Sequence, residues 1–191
     1  MEQNPLFPVF LKLEELHTLL VGGGNVGLEK LTALLKNSPA AKVTVVAGII
    51  SGSVKELASA HPNVELVARN FRPGDLSDKD LVILATDDPE LHKRIRTDAR
   101  KQRILINVAD TPDLCDFYLG SVVTKGNLKI GISTNGKSPT IARRMREFFE
   151  AALPDEIDDL LNNLNQIRDK ISGDFREKVR RLNELTAGLK K

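Results

Sequence analysis

The sequence predicts an α/β chain: a doubly wound parallel sheet, then a small α+β region, then a C-terminal helical module. Three observations predict it. The apolar strand pattern His17-Thr18-Leu19-Leu20-Val21 runs straight into Gly22-Gly23-Gly24-Asn25-Val26-Gly27, and a helical pattern follows at once. Strand and helix patterns then alternate to about residue 115, which implies right-handed crossovers and a parallel sheet. Beyond that point the alternation gives way to a hairpin and amphipathic helices.

The elements can be justified in order. After the first helix, residues 42–47 (KVTVVA) form a β-branched run bounded by turn signals, a second strand. Residues 53–60 give a short helix ended by His61-Pro62, and residues 64–68 a third strand. Residues 80–86 (DLVILAT) are almost continuously apolar, as a central strand buried on both faces requires. Asp88-Pro89-Glu90 opens a helix running to about residue 103, with Asp88 as cap and Pro89 in the first helical position. Residues 104–108 are the fifth strand. Residues 117–123 and 128–132 flank Lys125-Gly126-Asn127 as a hairpin. Ser138-Pro139 starts a helix to about residue 153, with Ile141, Met145, Phe148, Phe149 and Leu153 at helical spacing, and Pro154 ends it. Two amphipathic segments separated by Gly173-Asp174 follow, in a tail (residues 155–191) with eight acidic and eight basic residues. They predict a small helical module; an extended coiled-coil arm is the alternative. The division is therefore residues 1–115, 116–153 and 154–191. One hairpin and one helix bury too little surface alone, so residues 116–153 are expected to form a homodimer interface.

A strand, a G-x-G-x-x-G loop and a helix in succession form the Rossmann dinucleotide-binding pattern. Gly22 permits the tight turn, Gly24 lets the backbone approach a pyrophosphate, and Gly27 lets the helix pack closely on the strand. The helix N-terminus adds free N–H groups and a positive dipole end. Gly22, Gly23, Gly24, Asn25 and Val26 are therefore expected to bind NAD. The acidic residue that commonly meets the adenosine ribose should follow the second strand, about 20 residues after the motif. That strand ends at Ala47-Gly48-Ile49, with no Asp, Glu or adjacent Arg. Backbone groups at Ala47, Gly48 and Ile49 are the expected ribose contacts, and discrimination against NADP should be modest. Thr86, at the end of the fourth strand, is expected to touch the cofactor by position alone.

Composition narrows the class. The 191 residues are 41% hydrophobic and 28% charged, enough for a real core. A net charge of +2 gives no general case for nucleic acid or a membrane surface, and 4% aromatics without tryptophan disfavour base-stacking platforms. No apolar run approaches the roughly 20 residues of a spanning helix. Residues 1–10 lack a basic region followed by an apolar one, so a cytoplasmic location is the default expectation. Cys115 is the single cysteine, and His17, His61 and His92 share no ligand spacing. No metal-ligating residues are expected.

Five stretches occur in order over about residues 5–155: Pro8-Val9-Phe10-Leu11; Val21-Gly22-Gly23-Gly24-Asn25-Val26; Ala85-Thr86-Asp87-Asp88; Asn107-Val108-Ala109-Asp110-Thr111-Pro112; and Ser133-Thr134-Asn135-Gly136-Lys137-Ser138-Pro139. In these the chain resembles the precorrin-2 dehydrogenase and sirohydrochlorin ferrochelatase family, the dehydrogenase module of sirohaem synthesis. Gly27 stands where that family often has alanine. The resemblance implies that precorrin-2 loses a hydride to NAD⁺ and a proton, giving sirohydrochlorin. In some members Fe²⁺ is then inserted, so Fe²⁺ is an expected second substrate.

A proton acceptor is needed. Asp110 directly follows the fifth strand, at the carboxyl edge where open α/β sheets bind ligands, and the resemblance puts the functional aspartate in this motif. Asp110 is the expected catalytic residue; a turn cap before Pro112 is the plainer explanation of the same residue. The substrate is a polycarboxylate, and residues 117–152 hold six basic side chains against two acidic. Arg143 and Arg144 suit bidentate carboxylate contacts, although a solvated helix face explains them too. Ser133, Thr134, Asn135 and Lys137 precede a helix N-terminus suited to an anionic group. A different class remains, a non-enzymatic nucleotide-sensing Rossmann module of a transport system. It explains the glycine loop but neither the Asp110 motif nor the Ser133 loop.

Overall fold

β1 (His17–Gly23) is buried from Thr18 onward because it lies in the middle of a sheet covered on both faces. Leu20 points into one apolar layer with Leu31, Leu35, Val43 and Val45. Leu19 and Val21 point into the other with Val82, Ile95 and Ile106, the alternation that a strand imposes. A computed structural model describes residues 3–190, and the chain divides into two compact units, residues 1–119 and 120–191. In the first unit β1 is followed by α1 (Asn25–Asn37), β2 (Lys42–Ile50), α2 (Gly52–Ser59), β3 (Val64–Ala68), β4 (Leu81–Leu84), α3 (Pro89–Lys101) and β5 (Leu105–Val108). All five strands are parallel, in the order β3-β2-β1-β4-β5. This is the expected doubly wound sheet. The chain reverses its winding between β1 and β4, the crevice where ligands bind in such folds.

β2 departs from expectation. The β-branched run ends at Ala47, yet the strand continues to Ile50. Val21 of β1 faces Val46, but Gly23 faces Ile50, so Ala47-Gly48-Ile49 bulges out of the ladder. Gly48 and Ile49 are exposed as a result. Bulges of this kind re-aim side chains beside binding sites. The helix starts follow the sequence: the Asp88 carboxylate accepts from Leu91 N at 2.9 Å, and the Ser138 hydroxyl accepts from Ile141 N at 3.2 Å.

The second unit contains β6 (Ser121–Lys125), β7 (Leu128–Ile132), α4 (Pro139–Ala152), α5 (Ile157–Lys170) and α6 (Phe175–Leu185). β6 and β7 pair antiparallel around Gly126-Asn127, with Gly126 at φ +54°, the positive φ that a two-residue hairpin turn needs. The hairpin strand was expected from Phe117 but begins at Ser121. Asn107 Nδ2 donates to the Phe117 carbonyl at 2.8 Å, which ties that residue to β5 instead. The tail is helical as expected. Asn127 N and Nδ2 both donate to Asp158 Oδ1, at 2.6 and 2.9 Å, and Lys125 pairs with Asp155. The start of α5 is thereby fastened to the hairpin turn, while α5 and α6 contact each other and bury no residue fully. Among the described residues no helix is long and apolar enough to cross a membrane.

Candidate functional site

The carboxyl ends of β1, β2, β4 and β5 surround a cavity of about 960 Å³ in the first unit. Gly22, Gly23, Gly24, Asn25 and Val26 line it, as do Ala47, Gly48 and Ile49, Thr86, and Asp110. Every residue expected to hold the cofactor, together with the expected catalytic aspartate, is therefore on one surface.

The glycines divide into two groups by what a side chain would meet. A Cβ on Gly22 would lie 2.2 Å from the Ala85 carbonyl oxygen, and one on Gly27 2.2 Å from that of Gly22. A Cβ on Gly23 would lie 2.7 Å from the Ile49 carbonyl oxygen. These three positions let β1, β2, β4 and α1 approach one another, and Gly22 also has φ +124°. Gly24 differs: a Cβ there would meet nothing within 4 Å. The protein's own packing does not require glycine at that position, and the open space lies directly before the N-terminus of α1. That helix has no side-chain cap and no acidic residue in its first turn, whereas Ser51, Asp88 and Ser138 cap α2, α3 and α4. Its first amides point forward with no acceptor inside the helix. An anionic pyrophosphate fits this cradle.

Asp110 has φ +57°, follows β5 directly, and is exposed at the cavity. Its carboxylate accepts no hydrogen bond among the described residues, so the turn-cap explanation finds no bond to support it. Thr86 Oγ1 lies 2.8 Å from His92 Nε2. His92 is buried in α3 yet lines the cavity. Burial lowers its pKa from 6.5, opposed by Asp88, by its bond at Thr86 and by Asp87. Burial thus favours the neutral imidazole, which is held against Thr86. Sequence reasoning passed His92 over because only the folded β4–α3 turn brings it to Thr86. It also passed over Asn70, Phe71 and Arg94, which line the cavity too. No local pattern marks them, since Asn70 and Phe71 follow β3, two strands away from the glycine loop.

The other expected substrate contacts lie in the second unit. Thr134-Asn135-Gly136-Lys137 is a tight turn closed by Lys137 N donating to the Thr134 carbonyl at 3.0 Å, with Asn135 at φ +53° and Gly136 at φ +73°. Asn-Gly suits such a turn. Thr134 Oγ1 also donates to the Ser138 carbonyl at 3.1 Å, and the Ser133 hydroxyl accepts from Asn135 N at 3.2 Å. Arg143 and Arg144 project from α4, and each pairs with Glu147, at 3.4 and 2.9 Å. Both arginines are largely exposed, and such pairs open at little cost.

Residues 9–121 match the sequence model of a putative NAD(P)-binding family. The chain belongs to that family. Residues 125–152 match the central region of a sirohaem biosynthesis protein. A siroheme synthase of Nitrosomonas europaea is 35% identical over 168 residues, covering 88% of this chain and 35% of the relative. One of Psychrobacter cryohalolentis is 38% identical over 174 residues, covering 91% and 31%. The chain thus spans about a third of the length of these curated relatives. Among solved structures, SirC, a precorrin-2 dehydrogenase, superposes with a TM-score of 0.72 over 94% of this chain and 89% of its own, at 22% identity. This chain thus shares its fold with that structure.

Proposed function

We propose that this chain is an NAD-dependent dehydrogenase of sirohaem biosynthesis that converts precorrin-2 into sirohydrochlorin and acts as a homodimer. The observation that carries the reading is the gathering of the glycine loop, the bulged end of β2, Thr86 and Asp110 on one cavity. The siroheme synthase relatives and the matching central region support the substrate. NAD⁺, when bound, supplies the hydride acceptor.

The chain's own residues do the rest. The amides at the start of α1 hold the pyrophosphate, and the bulge at Ala47-Gly48-Ile49 carries the adenosine half. Thr86, braced by His92, stands beside the part of the cavity nearest β4. Precorrin-2 gives up a hydride and a proton in forming sirohydrochlorin, and Asp110 takes the proton as general base. An exposed, unbonded carboxylate at the strand edge can reach a bound macrocycle without first breaking a bond. Arg143, Arg144 and Lys137 are proposed to bind the substrate's carboxylates, along with the Ser133–Asn135 turn. Insertion of Fe²⁺ is proposed as a second activity at the same aspartate, because metal entry also requires pyrrole protons to leave.

The deciding experiment mixes the protein with NAD⁺ and precorrin-2 and follows absorbance. Appearance of the sirohydrochlorin spectrum with an equal amount of NADH is the expected result. NAD⁺ binding without turnover would favour a nucleotide-sensing module instead.

A further inference from the structure

The carboxylate that commonly meets the adenosine ribose in a Rossmann site is missing from the end of β2, and the structure puts a different side chain there. Gly48 lies in the bulge of β2, and a Cβ built on it would fall 2.4 Å from Asn70 Oδ1. The Asn70 amide therefore lies directly over Gly48, and a side chain at 48 would have to push it aside. Asn70 follows β3, the neighbour of β2 on the adenosine side of the sheet, and lines the same cavity as the glycine loop. It is exposed, and its side chain makes no hydrogen bond among the described residues. The adjacent cation is committed elsewhere. Arg69 donates from Nη1 and Nη2 to the two Asp75 oxygens at 2.8 and 2.6 Å, and it does not line the cavity.

We propose that Asn70 is the specificity-determining residue for the adenosine ribose, an inference that rests on the dinucleotide reading above. A side-chain amide offers an acceptor oxygen and two donor hydrogens with no charge. The oxygen can accept from a ribose 2′-hydroxyl, as a carboxylate would. The nitrogen can donate to a 2′-phosphate, which a carboxylate would repel. An asparagine at this point therefore binds NAD⁺ without excluding NADP⁺. Ile49, 87% exposed beside it, and Phe71 supply apolar surface for the adenine.

The test is calorimetric titration of NAD⁺ and NADP⁺ into the wild type, Asn70→Ala and Asn70→Asp. The wild type should bind both, within about tenfold of each other, the worth of one hydrogen bond. Asn70→Ala should weaken NAD⁺ by about three- to tenfold. Asn70→Asp should keep NAD⁺ and weaken NADP⁺ by about tenfold or more, since it sets like charges together. A purely structural role would move both nucleotides equally and leave their ratio unchanged. An unchanged NAD⁺/NADP⁺ ratio in the aspartate variant, with NAD⁺ still bound, overturns the role of Asn70 and leaves the dinucleotide reading standing. A wild type that binds neither nucleotide overturns both.

Discussion

Asp110 holds a left-handed backbone conformation, φ +57°, that aspartate and asparagine adopt at less cost than other side chains. Asp110→Asn therefore keeps the backbone and the shape of the group while removing the proton acceptor. Dehydrogenation should fall by about 10²–10⁴-fold with the NAD⁺ dissociation constant nearly unchanged. Gly24→Val should do the reverse. A Cβ at Gly24 meets no protein atom within 4 Å, so the fold survives, but the new side chain occupies the ground in front of α1 and NAD⁺ binding is lost. Steady-state kinetics and calorimetry on the two variants separate the roles. Full activity in Asp110→Asn would leave the proton to water and sink the general-base assignment. His92 acts at the same scale. Burial lowers its pKa below 6.5, so on acidification the unfolded chain takes up this proton before the folded chain does. The unfolded state then binds more protons, and stability falls as the pH drops below about 6.5. His17, also lowered mainly by burial, adds to the loss. His92→Gln can keep a bond to Thr86 without titrating. Its urea midpoint should therefore change less than that of the wild type between about pH 7.5 and 5.5; equal changes would show that His92 charges freely in the fold.

Elements joined by local signals were legible in the sequence, and those defined by distant neighbours were not. Asp88-Pro89 and Ser138-Pro139 mark helix starts because a cap acts within three residues of itself. The glycine loop is equally local: strand, turn and helix are consecutive. The end of β2 is different. Gly48 looks like a turn, yet β1 holds the strand to Ile50 through a bulge, and only β1 decides that. Asn70 is invisible for the same reason, since its place depends on where β3 and β1 finish, and the Thr86–His92 contact needs the folded turn between β4 and α3. Gly27 gives a test at this scale. Here a Cβ on Gly27 would come 2.2 Å from the Gly22 carbonyl oxygen, and backbone cannot yield as a flexible side chain can. Gly27→Ala should force α1 off β1 at a cost of about 1–3 kcal/mol, measured by urea unfolding. A cost within a few tenths of zero would mean that α1 shifts freely.

The second unit poses a problem of the whole molecule. Of its described residues only Val123 and Ala142 are buried, too small a core for a hairpin and three helices to stand on alone. At the same time α4 leaves Ile141, Met145 and Phe148 uncovered, 54%, 38% and 60% exposed. Their spacing of four and three residues puts them on one helical face, while Arg143, Arg144 and Glu147 carry charge around it. Covering a side chain of this size is worth about 1.5–3 kcal/mol, so three on each of two copies supply a substantial part of a stable interface. Phe148 stands furthest out and carries an edge-on contact with Phe149, centroids 5.5 Å apart. The wild type is expected to sediment as a dimer at micromolar concentration. Phe148→Glu places a charge at the end of the apolar stripe, and it should give a monomer that still binds NAD⁺. Since the glycine loop belongs to the first unit and Phe148 to the second, the monomer should keep its cofactor affinity. A wild type that sediments as a monomer, or a Phe148→Glu variant that stays dimeric, would remove this face from the interface.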